Sequence, residues 1–157
     1  MRLELQKMYH QDQEDRAEIN RDNPDFSDWQ KIKNRDDERK KKVEDLYKKG
    51  LIKTAEDMFY AGMIYQHGGD TESFKKAIEL SKKSYEMGSD DGKWLYPRAE
   101  DRYLLSIGKA QIWGTQFTWR DGEWVFQEPF DKNGKTEKER TVFNINPDRQ
   151  LKEINER

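Results

Sequence analysis

His67 is one of two histidines in the chain, and it closes an apolar run in MIYQHGGD (63–70). An imidazole titrates near neutrality, so beside a carboxylate it can take or give a proton. Three aspartates could work with it, and each has an arginine close by. Arg16 stands four residues after Asp12, Arg39 three after Asp36, and Arg102 next to Asp101. Guanidinium groups fork onto carboxylates and phosphates through paired N–H donors. Gln111 and Gln116 bracket a glycine in QIWGTQ (111–116), where amides can orient a polar ligand and the backbone can approach it closely. This residue set describes a polar pocket for a small polar or anionic ligand, with His67, Asp12, Asp36 and Asp101 as candidate acid/base groups.

The helices that must carry these groups are legible from periodicity. Over residues 3–21, Leu5, Met8, Tyr9, Asp12, Arg16 and Ile19 recur at steps of mostly three and four. Pro24 in NPDFSDW breaks the chain. A second helix is expected from Asp28 to Lys49, with Trp29, Ile32, Asp36, Arg39, Val43 and Leu46 on its stripe and Gly50 as its stop. In both helices an Asp and an Arg interrupt the apolar face. Burying an unpaired charge is costly, so these groups must pair or face a cavity. Asp12–Arg16 and Asp36–Arg39 have the spacing of helix ion pairs. Asp101 and Arg102, being adjacent, point apart and must each reach another element.

TAED (54–57) predicts a capping box on Thr54 and Asp57, opening a third helix that ends at His67. A histidine at a helix C-terminus is also favoured by the macrodipole alone. Ala61 and Gly62 let another helix come close. Asp70 or Thr71 caps a fourth helix, which Gly88 stops. A fifth helix runs to Gly108, and Pro97 must kink it or open its second half. FTWRDGEWVF then predicts a hairpin turning on Asp121-Gly122, its aromatics packing across the strands. Thr136 caps a short helix, and Pro147 opens a last short helix or a frayed tail. His10 reads as a surface residue.

The expected fold is mainly α: about five helices in a compact, repeat-like bundle with a C-terminal β-hairpin. One domain spans 1–157, helical over 1–108, with loop, hairpin and short helices over 109–157. The middle helices are similar to tetratricopeptide or Sel1-like hairpins.

Composition narrows the function classes. Only 32% of the 157 residues are hydrophobic and 39% are charged. Net charge is nevertheless only −2, and five Trp, seven Tyr and seven Phe supply buriable surface, so a folded domain with a small aromatic core is expected. A pI near 5.8 gives no footprint for nucleic acid. No run approaches the length of a membrane span, and the N-terminus lacks an apolar leader. The cysteine-free chain suits the cytoplasm. With one plausible histidine, no Cys and no HExxH, neither a metal nor a cofactor is expected.

DQEDR (12–16), AGMIYQHGGD (61–70), EDRYLLSIGKAQIWGTQF (100–117) and TEKER (136–140) occur in this order. Together they resemble a bacterial domain family of unknown function with a DQxxR, DxxR, QHG, DR and QxxGTQ pattern. The likeness covers nearly the whole chain. It implies site roles for Gln13, Arg16, Arg39, Gln66, Arg102, Gln111, Thr115 and Gln116 beside the acidic residues, and it also touches Asp57 and Gly114. It carries no reaction. Pro97 and Trp113 depart from the pattern, and the end of the chain is more polar than the family's.

Two functions remain open from sequence. One is a ligand-binding pocket, with acid/base catalysis through His67. The other is a helical protein–protein interaction module, of partner or immunity type, in which the Asp/Arg pairs only fix helix register. A pocket uniting His67, Arg39 and Gln116 would favour the first; closure of every Asp–Arg pair would favour the second.

Overall fold

The structure, a computed structural model, describes residues 2–19 and 26–157. Its elements are α1 (Arg2–Ala17), α2 (Phe26–Lys48), α3 (Ala55–Gln66), α4 (Thr71–Glu86), α5 (Asp90–Ser106), β1 (Phe117–Arg120), β2 (Glu123–Phe126), α6 (Glu137–Val142) and α7 (Pro147–Asn155). The protein is mainly helical, with seven helices among the described residues: the five of the bundle and two short ones after the hairpin. The break expected at Pro24 lies outside the described residues.

The stripes become the core. Leu5 and Met8 of α1, Val43 and Leu46 of α2, Ala61, Ile64 and Tyr65 of α3, Ala77 and Leu80 of α4, and Ala99 of α5 form one buried cluster. Each large side chain buried there contributes about 1.5–3 kcal/mol. Trp29 departs from the expectation: it stays 45% exposed at the N-terminal end of its stripe. Gly62 allows α3 to approach α5, since a Cβ there would stand 3.1 Å from the Leu95 side chain.

The HGGD stretch is a junction between two caps. The Thr54–Asp57 capping box opens α3, and His67 closes it as C-cap. Asp70 is the N-cap of α4, accepting from the Ser73 amide at 2.8 Å. Between them, a Cβ on Gly68 would fall 2.4 Å from Ser73 Oγ, and Gly69 sits at φ +80°. Only glycine fits that pair of demands. Lys40 of α2 ties the junction down through Asp70 (2.7 Å).

α5 runs unbroken from Asp90 to Ser106 with Pro97 inside it. The helix does not restart at the proline, so Pro97 does not open a second half; buried Leu95, Pro97 and Ala99 pack it on both sides of the lost N–H. The hairpin has the predicted turn, with Arg120 paired to Glu123 and positive φ at Asp121 and Gly122. Trp119 and Trp124 face each other edge-on at 5.5 Å between ring centroids. The tail docks: Asn155 of α7 donates to the Trp124 carbonyl (2.9 Å) and accepts from its amide (2.8 Å).

Candidate functional site

Asp12 is fully buried and lies at the centre of the polar groups. Both of its carboxylate oxygens stand 2.9 Å from His67 Nδ1. Arg16 donates to Oδ1 at 2.8 Å and Gln13 to Oδ2 at 2.8 Å. A carboxylate only accepts, so the His67 proton resides on Nδ1 and the imidazole is oriented by Asp12. Among the described residues Nε2 has no protein partner, and the His67 side chain remains 13% exposed. Burial would raise the Asp12 carboxyl, but the His67 hydrogen bond and the nearby arginines outweigh it and hold the group below its usual range. Burial pushes His67 down; Asp12 opposes that, while Arg16 and Arg102 add to it. The dyad at neutral pH is therefore an ionised Asp12 and a neutral His67.

Toward α2 the constellation closes into an ion-pair lattice. Arg16 forks onto Asp36 at 3.2 and 2.8 Å while still holding Asp12. Arg39, 5% exposed, bonds Asp36 at 2.7 Å and Asp15 at 2.9 Å. Arg35 completes the Asp15 contact at 2.9 Å. Asp12, Asp15 and Asp36 are thus matched by Arg16, Arg35 and Arg39, three charges against three. Burial lowers the Arg39 pKa, but its hydrogen bonds to Asp36 and Asp15 raise it further.

Toward α5 the balance fails. Arg102 Nη1 donates to the Gln66 carbonyl at 3.0 Å, which sets it beside His67 in the chain. Its Nε and Nη2 reach only Gln116 Oε1, at 3.4 and 3.3 Å. No carboxylate lies within ion-pair distance among the described residues. Burial lowers its pKa, and the charge of Arg16 lowers it again. Arg102 is a largely desolvated cation held by neutral acceptors.

The orientation of Gln116 follows from a relay. Thr115 Oγ1 donates its single proton to Asp101 Oδ2 at 2.7 Å. The same oxygen must then accept from Gln116 Nε2, at 3.1 Å. The other end of the amide, Oε1, is left to face Arg102. Asp101 itself accepts from the amides of Ile112 (2.8 Å), Trp113 (2.9 Å) and Thr115 (3.0 Å). Arg140 of α6 takes the opposite groups of the same loop, the carbonyls of Ile112 (2.7 Å) and Trp113 (3.2 Å). Gly114, at φ +81°, packs so closely that a Cβ would fall 2.7 Å from Phe130.

Of the residues singled out from sequence, His67, Asp12, Gln13, Arg16, Arg102 and Gln116 come together, with Gln66 contributing its backbone carbonyl. Gln66 Nε2 reaches the Arg98 carbonyl (3.2 Å), and its buried Oε1 meets no donor among the described residues. The structure places Asp101 as the anchor of the 111–116 loop, its two oxygens accepting from four donors. Thr115 is one of those donors. Gln111 is likewise a strut: fully buried, it bonds Gln116 through both amide ends and also the Gln127 carbonyl. Asp36 and Arg39 belong to the closed lattice. Asp57 is a cap and His10 is exposed, as their sequence contexts implied. Sequence reasoning missed Asp15, Arg35 and Arg140. Asp15, three residues after Asp12 and so on its face, carried a readable signal, and Arg140 closes the TEKER block of the resemblance; Arg35 carried none.

Fold and site together define a helical protein with a charged inter-helix centre: an Asp–His dyad beside Arg102, which has no carboxylate partner among the described residues. No family model, curated protein or solved structure matches the chain. No described helix is long and apolar enough to cross a membrane.

Proposed function

We propose that the protein binds a small anionic ligand between α1, α3, α5 and the 111–116 loop, with His67 Nε2 positioned to take a proton from it. Arg102 carries this reading. A desolvated guanidinium is costly without an anion, and the neighbouring carboxylates are already matched by other arginines. A ligand anion would supply the missing charge. The Asp12–His67 pair has the arrangement of a general base, and acid/base catalysis follows if the bound ligand offers an acidic proton at Nε2. The resemblance to the bacterial family belongs to the same proposal, since its pattern residues supply both the dyad and the loop. A cytoplasmic setting suits the cysteine-free chain.

A second reading, the interaction module with a structural charge network, is favoured by the closed lattice of Asp15, Asp36, Arg35 and Arg39. The two readings separate on stability. Replacing Arg39 with Met leaves Asp12, Asp15 and Asp36 with only Arg16 and Arg35 as matching cations, an unbalanced buried charge that should cost about 3–5 kcal/mol. Replacing Arg102 with Met removes a charge that no carboxylate among the described residues balances and leaves only the neutral Gln66 carbonyl and Gln116 Oε1 without a donor, so the change should cost less than Arg39→Met, about 1–3 kcal/mol at most. Urea unfolding of both variants beside the parent measures this. An Arg102→Met loss as large as that of Arg39→Met would make Arg102 structural and favour the interaction module.

A further inference from the structure

We infer that the anion taken beside Arg102 is a phosphate that keeps a P–OH group, as free hydrogen phosphate or as a singly protonated phosphomonoester. The inference rests on the anion-site reading above and narrows it. The site offers two unlike groups. Arg102 provides N–H donors that its neutral partners, the Gln66 carbonyl and Gln116 Oε1, do not exhaust, since a guanidinium has five. His67 provides the opposite. Its Nδ1 proton is committed to the two Asp12 oxygens, so in the neutral form that burial favours Nε2 presents a lone pair. Arg16 cannot fill that role as a second cation, because Asp12 and Asp36 already occupy its fork.

A ligand complementary to this pair must accept at one end and donate at the other. Sulfate and ionised carboxylates only accept, so an oxygen of theirs placed against Nε2 would meet a lone pair. Hydrogen phosphate does both: its P–O⁻ oxygens accept from Arg102 while its P–OH donates to Nε2. The second phosphate pKa of an ester is about 6, so a monoester is also partly protonated in mildly acidic solution. Sites that must hydrogen-bond a ligand O–H discriminate strongly against analogues lacking it.

The test is isothermal titration calorimetry at about pH 6, where an ester carries its proton in part, and at constant ionic strength. The parent and Arg102→Met are titrated with inorganic phosphate, glycerol 2-phosphate, sulfate and acetate. Phosphate or the ester should bind at least about tenfold tighter than sulfate and acetate, a difference of about 1.4 kcal/mol, and Arg102→Met should abolish that binding. Tighter binding of the free anion would identify a site closed around phosphate itself; tighter binding of glycerol 2-phosphate would identify an ester site. Sulfate binding as tightly as phosphate in the parent, with loss in Arg102→Met, would overturn the phosphate inference and leave the anion site standing. No anion binding, or binding unchanged by Arg102→Met, would overturn both.

Discussion

Asp12 receives three side chains from two helices, and that concentration decides its chemistry. His67, Arg16 and Gln13 all donate to it, so the carboxylate stays ionised although it is fully buried. His67 sits on the other side of the same balance: burial favours its neutral form. Both shifts have the same consequence for stability. A carboxyl depressed in the folded state contributes stability above its unfolded pKa and loses it as pH falls. A histidine depressed in the folded state is protonated more readily when unfolded, so stability also falls as pH drops below about 6.5. Urea midpoints should therefore rise from pH 5 to pH 7.5 in the parent. His67→Phe should flatten the part of that rise near pH 6.5. A midpoint that falls with rising pH would mean that His67 is held as the imidazolium and would remove its role as a proton acceptor.

At the scale of elements, the 111–116 loop determines what Arg102 sees. Asp101 holds its N–H groups and Arg140 its carbonyls, so the loop is clamped by opposite charges from α5 and α6. Thr115 transmits that clamp to Gln116 by spending its proton on Asp101. Thr115→Val removes both the donor and the acceptor. It should cost about 1.5–3 kcal/mol, the range for a hydrogen bond to a charged group, and should free the Gln116 amide to rotate. Anion affinity should fall with it. Thr115→Ser keeps the hydroxyl and should restore affinity even where stability is only partly recovered, which a purely structural role would not produce. Calorimetry on the two variants reads the difference.

Across the whole molecule, the C-terminal third is fastened to the helices rather than appended to them. Phe143 touches Tyr85 of α4, Tyr96 of α5 and Trp113 of the loop, with ring centroids 5.1 to 5.8 Å apart. α7 in turn pins the hairpin through Asn155. Thermal unfolding followed by tryptophan fluorescence, which reports largely on the C-terminal part, should coincide with the transition in far-ultraviolet circular dichroism, which reports on the helices. Phe143→Ala should lower both together by about 2 kcal/mol or more. Two separated transitions in the parent would show that 109–157 folds as its own unit.

The local devices were legible in the sequence because their forces act over a few residues. Thr54 and Thr136 cap helices through bonds three residues long, Asp121-Gly122 turns a two-residue hairpin, and the stripes of α1 and α2 follow from the helical period. The presence of Asp12, Arg16, Asp36 and Arg39 on inward faces followed from the same period. Their roles did not. Arg16 meets Asp36 across 20 residues and Arg39 meets Asp15 across 24, so which cation is matched depends on how α1 lies on α2. Asp101 stands next to Arg102 in sequence, yet it serves a loop 11 to 14 residues away while Arg102 turns to Gln66 and Gln116. The sequence by itself determined the helices, the hairpin and the supply of charged groups, since these rest on local periodicity and capping. The tertiary structure alone decided that, among the described residues, His67 Nε2 meets no protein partner and Arg102 beside it meets no carboxylate, because pairing is a property of distances between helices.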